Sequence, residues 1–75
     1  MATLKKSFGQ TVRRLRMEAG MSQEKLAQRV KVSRNFEGSV ERGEHSLSLE
    51  LAERFAKALG VALSDLIAQA ERDVR

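Results

Sequence analysis

The sequence contains no cysteine, proline, tryptophan or tyrosine, and phenylalanine, with three copies, is its only large aromatic residue. The absence of cysteine excludes a disulfide framework and any cysteine-based metal site. His45 is the only histidine, and no second histidine or carboxylate stands at metal-ligand spacing from it, so we predict no metal and no cofactor. Phe8, Phe36 and Phe55 all fall on apolar stripes of predicted helices, which disfavours stacking on single-stranded nucleic acid.

Catalytic and membrane-spanning features are missing as well. His45 falls in a predicted loop without a serine or aspartate at fixed spacing, and the five glycines form no phosphate-binding loop, so we expect no enzymatic activity. The N-terminal MATLKKSFGQ lacks the apolar core of a signal peptide. No apolar run approaches the roughly 18 residues that a membrane span needs. These absences predict a soluble protein of the cytoplasm with no membrane partner.

Positive charge is concentrated in the first part of the chain. The 75 residues are enough for one domain, spanning residues 1–75. They carry a net charge of +4. Residues 1–42 hold ten basic and four acidic residues, whereas residues 43–75 hold four basic and six acidic ones. A basic half of this kind is typical of proteins that bind polyanions. A solvated surface that happens to be basic explains the charge equally well.

Apolar residues recur at helical spacing along most of the chain, so we predict an all-α fold. Residues 1–6 are expected to form a short polar arm, and residues 7–72 a helical core. The five predicted helices run from near Ser7 or earlier to Ala19, about Gln23–Val30, about Arg34–Arg42, about Leu49–Leu59, and from near Ser64 towards Arg72.

The middle of the chain, Ser22 to Gly43, reads as two short helices joined by a tight turn. Ser22 and Ser33 are residues that favour helix N-caps, and Gly43 is a plausible left-handed stop. Helices of about eight residues are too short to be stable alone. The rest of the chain must therefore pack against them, which leaves the second helix free to present a polar face.

This stretch resembles the helix-turn-helix of small phage-repressor, Cro and XRE-like DNA-binding domains. The resemblance extends from about Phe8 to Ile67 and implies a compact, five-helix, lambda-repressor-like domain. The residues that carry it are Arg16, Gln23 at the start of the first helix, Ala27 four residues later, Val32-Ser33-Arg34 at the entry to the second helix, and Glu41-Arg42-Gly43 at its exit.

The resemblance implies a role for particular residues at a DNA site. Arginine can bind guanine bidentately and asparagine can bind adenine, and a helix N-terminus reaches base edges in the major groove. The expected base-reading residues are Ser33, Arg34, Asn35 and Ser39, with helix capping as the alternative for Ser33. The expected DNA-backbone contacts are Gln23, Lys31, Arg42 and Gly43.

The resemblance also implies an ion pair between Arg16 and Glu41. An arginine beside an apolar stripe is partly desolvated and needs a bidentate partner. The alternative is two unrelated surface charges.

Two residues depart from the pattern of the resembled family. Lys31 stands where a glycine usually provides a left-handed turn residue, at a cost of about 1 kcal/mol. Glu37 stands where an apolar residue usually faces the core. We expect either that Glu37 turns to solvent and Phe36 takes over its packing, or that the buried carboxylate destabilises the domain by roughly 2–4 kcal/mol.

By resemblance, the chain is a stand-alone transcriptional regulator, such as a repressor or a restriction–modification controller protein. A homodimer on a palindromic operator is expected, since one domain contacts too few base pairs to be selective. Candidate dimer residues are Val61, Leu63, Ile67 and Val74, which could instead complete the core. RNA polymerase or a cognate toxin is a further candidate partner. The alternative function is a protein-interaction module, such as an antitoxin or adaptor, which an acidic Glu37 in the second helix would favour.

Overall fold

The computed structural model describes residues 3–72, and these form five α-helices without a strand. The helices are α1 (Leu4–Glu18), α2 (Gln23–Val30), α3 (Arg34–Glu41), α4 (Leu49–Leu59) and α5 (Leu63–Arg72). The all-α, five-helix prediction is thereby confirmed. None of the helices in the described part of the chain is both long and apolar enough to cross a membrane.

The first helix begins at Leu4, in agreement with the predicted start near Ser7 or earlier. Thr3 has an extended backbone and its side chain accepts the Lys6 N–H, so α1 starts at Leu4. Residues 4–6 therefore belong to the helix and not to a polar arm, because Thr3 caps the helix and Leu4, Lys5 and Lys6 all have good helix propensity. Residues 1–2 lie outside the described range. Serine caps begin three more helices in the same way, at Ser22, Ser33 and Ser48.

All five helices contribute to one core. Phe8 of α1 meets Phe55 of α4 edge to face, with ring centroids 6.4 Å apart. The other buried apolar members of this core are Val12, Leu26, Val30, Val40, Ala52, Ala56, Leu66 and Ala70. The short α2 and α3 are held by this packing, as their length requires.

Helix α1 lies directly against the backbone of α3. A Cβ placed on Gly9 would collide with the carbonyl oxygens of Val40 and Glu41. Glycine at this position therefore allows the two helices to approach closely, which brings the side chains that follow on α1 within reach of the C-terminal end of α3.

Candidate nucleic-acid interface

Helices α2 and α3 are joined by the tight turn that defines a helix-turn-helix. Lys31 ends α2 in the left-handed conformation, with φ 68° and ψ 47°. Its N–H donates to the Ala27 carbonyl at 2.8 Å, and the Val32 N–H donates to the same oxygen at 3.0 Å. Lys31 is the only non-glycine residue with positive φ in the part of the chain that the structure describes. The turn forms without glycine, at the energetic cost expected for a side chain in this region.

The first turn of α3 is the exposed part of the second helix. Ser33 caps it, since its hydroxyl accepts the Phe36 N–H at 3.0 Å. Arg34 and Asn35 are exposed, and neither side chain forms a hydrogen bond or ion pair within residues 3–72. Their donors and acceptors are thus free for a ligand, as a base-reading role would require.

Ser39 does not share that exposed surface. It is only 7% exposed, and its hydroxyl donates to the Phe36 carbonyl at 2.7 Å. The cause is that α3 packs against both α1 and α2, so every residue from Glu37 to Glu41 is buried. The Ser39 hydroxyl hydrogen is therefore already used within the chain, and its side chain offers little surface for the expected base contact.

Gly43 also has a structural role instead of a free donor. It is buried at φ 75°, and its N–H donates to the Val40 carbonyl at 2.9 Å. A Cβ at this position would lie 2.8 Å from the Lys6 Cα. The expected contact of Gly43 with the DNA backbone is therefore not supported by the geometry, because the amide is already bonded within the chain.

The remaining residues predicted to contact the DNA backbone lie on either side of α3. Lys31 is exposed in the turn before it. Gln23 is half-buried at the start of α2, where its amide donates to Glu41 Oε1 at 3.2 Å. Arg42 is exposed directly after α3 and pairs with Glu44, with Nε and Oε2 2.9 Å apart. A DNA phosphate would have to compete with Glu44 for Arg42.

The structure brings Arg16 and Glu41 together as a bidentate ion pair. Arg16 Nε lies 2.7 Å from Glu41 Oε2, and Nη2 lies 3.2 Å from Oε1. The side chains are 11% and 3% exposed. Arg16 Nη1 also donates to the Met21 carbonyl at 2.8 Å. Together with Gln23, this network ties α1 and the start of α2 to the end of α3.

Glu41 stays ionised within this network. Burial opposes its ionisation, but hydrogen bonds from Glu37, Arg16 and Gln23 outweigh burial and hold the pKa of Glu41 below its usual value. The hydrogen bond to Glu41 correspondingly raises the pKa of Arg16, so the pair carries opposite full charges.

Glu37 is fully buried and does not turn to solvent. No hydrogen-bond donor of the described chain reaches either of its carboxylate oxygens. Burial raises the pKa of Glu37 to about 8, and the adjacent Glu41 carboxylate favours a proton on Glu37 that it can accept as a hydrogen bond. The first alternative for Glu37 is therefore wrong, and the buried residue is a neutral acid near pH 7.

Two contacts were not foreseen from the sequence. Phe36 is half-buried and stacks on His45 of the following loop, with ring centroids 4.9 Å apart and planes at 26°. Arg54 of α4 donates to the carbonyls of Val30 and Lys31. Only the second had a sequence signal, since arginine is a common partner for the free carbonyls at a helix C-terminus.

The described dimer candidates are Val61, in the loop before α5, and Leu63 and Ile67, in the first half of α5. Val61, Leu63 and Ile67 are half-buried and pack against the core with part of their surface. Val74 lies outside the described residues. The three described candidates thus keep some apolar surface outside the core.

Comparison with known proteins places this architecture in a family. A family model described as a helix-turn-helix domain matches residues 7–70. The chain is 44% identical over 61 residues to control protein C.BamHI of Bacillus amyloliquefaciens, covering 80% of this chain and 75% of that protein. It is 32% identical over 74 residues to control protein C.MunI of Mycoplasma sp, covering 97% and 100%.

A solved structure gives the same result. The restriction-modification controller protein C.AhdI from Aeromonas hydrophila superposes with a TM-score of 0.78 at 39% identity, over 81% of this chain and 92% of that one. The resemblance seen in the sequence is confirmed. The chain belongs to the helix-turn-helix family of DNA-binding transcriptional regulators.

Proposed function

We propose that this regulator reads duplex DNA with the first turn of α3 and represses transcription as a homodimer on a palindromic operator. The observation that supports this most directly is that α3 has unpaired side chains at its N-terminal end and a buried ion pair at its C-terminal end. Arg34 and Asn35 are exposed without partners within residues 3–72, on a helix whose far end is anchored by the buried Arg16–Glu41 pair. A rigid helix with free bidentate groups at its N-terminus suits base reading in the major groove.

Contacts with the DNA backbone would come from residues on either side of that turn. Lys31 precedes the recognition helix, Arg42 follows it, and Gln23 begins α2 beside it. Gly43 is omitted because its amide is bonded to Val40. Gln23 keeps an acceptor and one donor free while it is bonded to Glu41, so it can orient a phosphate contact without leaving the network.

Dimerisation would pair the exposed edges of Val61, Leu63 and Ile67 from two copies. A symmetric dimer doubles the number of base pairs contacted, which one domain of this size needs for selectivity. The two recognition helices would then read half-sites one helical turn apart, about 34–36 Å.

The relatives suggest the biological setting of the repressor. Control proteins C.BamHI and C.MunI are similar to this chain over most of its length. We infer that this chain is likewise a control protein that acts on a promoter in the cytoplasm, where its DNA lies. A contact with RNA polymerase or a toxin stays a prediction of the resemblance.

The position of Glu37 does not favour the alternative of a protein-interaction module. An acidic Glu37 that repels phosphates from the second helix would have given that alternative slight support. Glu37 is instead fully buried and protonated near pH 7, so it places no negative charge on the DNA-facing surface.

The test is a binding selection on random duplex DNA at physiological salt, followed by affinity measurements over a salt series. We expect an enriched palindrome bound by two protomers, with log affinity falling steeply as log salt rises. A well-folded protein that enriches no duplex sequence would contradict the proposal.

A further inference from the structure

A second concentration of positive charge lies beside the recognition helix. An open depression of about 460 Å³ separates the C-terminal end of α2 from α4. Its lining includes four basic residues and no carboxylate: Arg29, Lys31, Arg54 and Lys57, with Val30 and Ala58 between them. We call these four residues the α2–α4 basic patch.

One member of the patch holds it together. Arg54 Nε donates to the Val30 carbonyl at 3.1 Å, and its Nη2 donates to the Lys31 carbonyl at 3.1 Å. These contacts fix α4 against the end of α2 and satisfy carbonyls that the helix leaves free. Arg54 is therefore committed to the fold, and its position keeps the other three cations near one another.

The other three cations have no partner within the described residues 3–72. Arg29, Lys31 and Lys57 are exposed, and their side chains form no hydrogen bond or ion pair there. Two exposed arginines outside the patch are by contrast paired, Arg14 with Glu18 and Arg42 with Glu44. Three unpaired cations around one depression create a local positive potential that attracts a polyanion.

The location of the patch indicates which polyanion would bind to it. Lys31 belongs both to the patch and to the turn that leads into Ser33 and Arg34. The patch therefore adjoins the end of α3 that enters the groove, and DNA carries about one negative charge per 1.7 Å of helix axis.

We propose that the α2–α4 basic patch binds phosphates of the duplex that flanks each half-site, beyond the bases read by α3. This inference rests on the proposed function, because it places the patch next to DNA already bound by Arg34. Such contacts carry no sequence information, and they add salt-dependent affinity that requires DNA longer than the two half-sites.

The test compares two lengths of the duplex recovered by selection, one trimmed to the half-sites and one with flanks of about one helical turn, ~10 base pairs, on each side. The variant is R29Q/K57Q, which leaves Arg54 in place. The matched control is R13Q/R72Q, which removes two exposed charges elsewhere on α1 and α5 that are also unpaired within residues 3–72. Circular dichroism and thermal melting verify that each protein is folded, and the two single variants serve if the double one is not.

We expect R29Q/K57Q to weaken binding to the flanked duplex about tenfold or more and to reduce the salt slope by about 2 per protomer. On the trimmed duplex it should match the control. Equal losses on both lengths, or no loss beyond the control, would overturn the flanking contact while the proposed function stands. A wild-type protein that binds neither duplex would overturn both.

Discussion

At the scale of single residues, the two buried glutamates, Glu37 and Glu41, differ in protonation state. Glu41 is ionised because Arg16 and Gln23 donate to it, whereas Glu37 has no donor and keeps its proton. A buried carboxyl group without a donor is expensive to ionise. The domain therefore accommodates a residue of the wrong polarity by neutralising it.

The raised pKa of Glu37 predicts how stability depends on pH. Its folded pKa of about 8 exceeds the ordinary value of 4.5, so the folded protein binds the proton more tightly than the unfolded chain. The contribution of Glu37 to stability is thus complete below about pH 4.5 and is lost as pH rises through about 8. We expect the free energy of unfolding to fall by about 2–4 kcal/mol between pH 5 and 9, measured by urea denaturation.

Substitution isolates this effect from other titrations. E37Q should have the same free energy of unfolding as the wild type near pH 5 and a higher one at pH 9, because the glutamine amide does not ionise in this range. The exposed carboxylate of Glu53 provides the control, and E53Q should retain the pH dependence of the wild type. Parallel pH profiles for wild type and E37Q would refute the assignment.

The Arg16–Glu41 pair gives a second prediction at this scale. R16M should cost about 3–5 kcal/mol, because it leaves Glu41 charged and buried without its main partner. The double variant R16M/E41L should cost less than the sum of the single changes, with a coupling energy of about 1–3 kcal/mol from denaturation.

The exposed pair Arg14–Glu18 is the matched control for that cycle. Its side chains are 46% and 60% exposed, and R14M/E18L should show a coupling below about 1 kcal/mol. Additive effects of the substitutions at Arg16 and Glu41 would show that the two residues do not brace α3 as a unit.

At the scale of elements, the turn between α2 and α3 contains a strained backbone that costs the domain a small amount of free energy. Lys31 occupies the left-handed region that glycine adopts freely, and its side chain forms no hydrogen bond or ion pair within residues 3–72 that would offset the strain. Arg54 offsets part of that cost by donating to the carbonyl groups of Val30 and Lys31, where α2 ends and the turn begins.

The same substitution should therefore have opposite effects at two positions of this region. K31G should stabilise the domain by about 0.5–1 kcal/mol, because glycine relieves the strained backbone. K25G, in the exposed first turn of α2, should destabilise it by a similar amount through lost helix propensity. Thermal melting measures both changes, and a destabilised K31G protein would contradict the reading of the turn.

Element boundaries and the ion pair were largely predictable from the sequence, and side-chain availability was not. Serine caps and apolar spacing are local signals, so α2, α3 and α4 lie close to where the pattern placed them. The burial of Ser39 and Gly43 has no such local signal. It depends on how α1 and α2 pack against α3 and the residues that follow it, and a single sequence gives no measure of that packing.

At the scale of the whole molecule, one side of the domain concentrates the groups that a duplex requires. The first turn of α3 supplies the free side chains that we propose read bases, and the α2–α4 basic patch continues the positive surface at the same end of that helix. The buried network of Arg16, Gln23 and Glu41 lies at the other end of α3 and holds it against α1 and α2. Helix α3 thus combines a buried part that packs in the core with a first turn whose side chains are available to a ligand.

The most direct test of this account is to repeat the selection on random duplex DNA with R34A beside the wild type. We expect the wild type to enrich a palindrome and R34A to lose preference at one position in each half-site, at a cost of about 1–3 kcal/mol per contact. R13A, which removes an exposed arginine from α1, should enrich the wild-type palindrome unchanged. An R34A selection that recovers the same palindrome with the same preferences would contradict base reading by the first turn of α3.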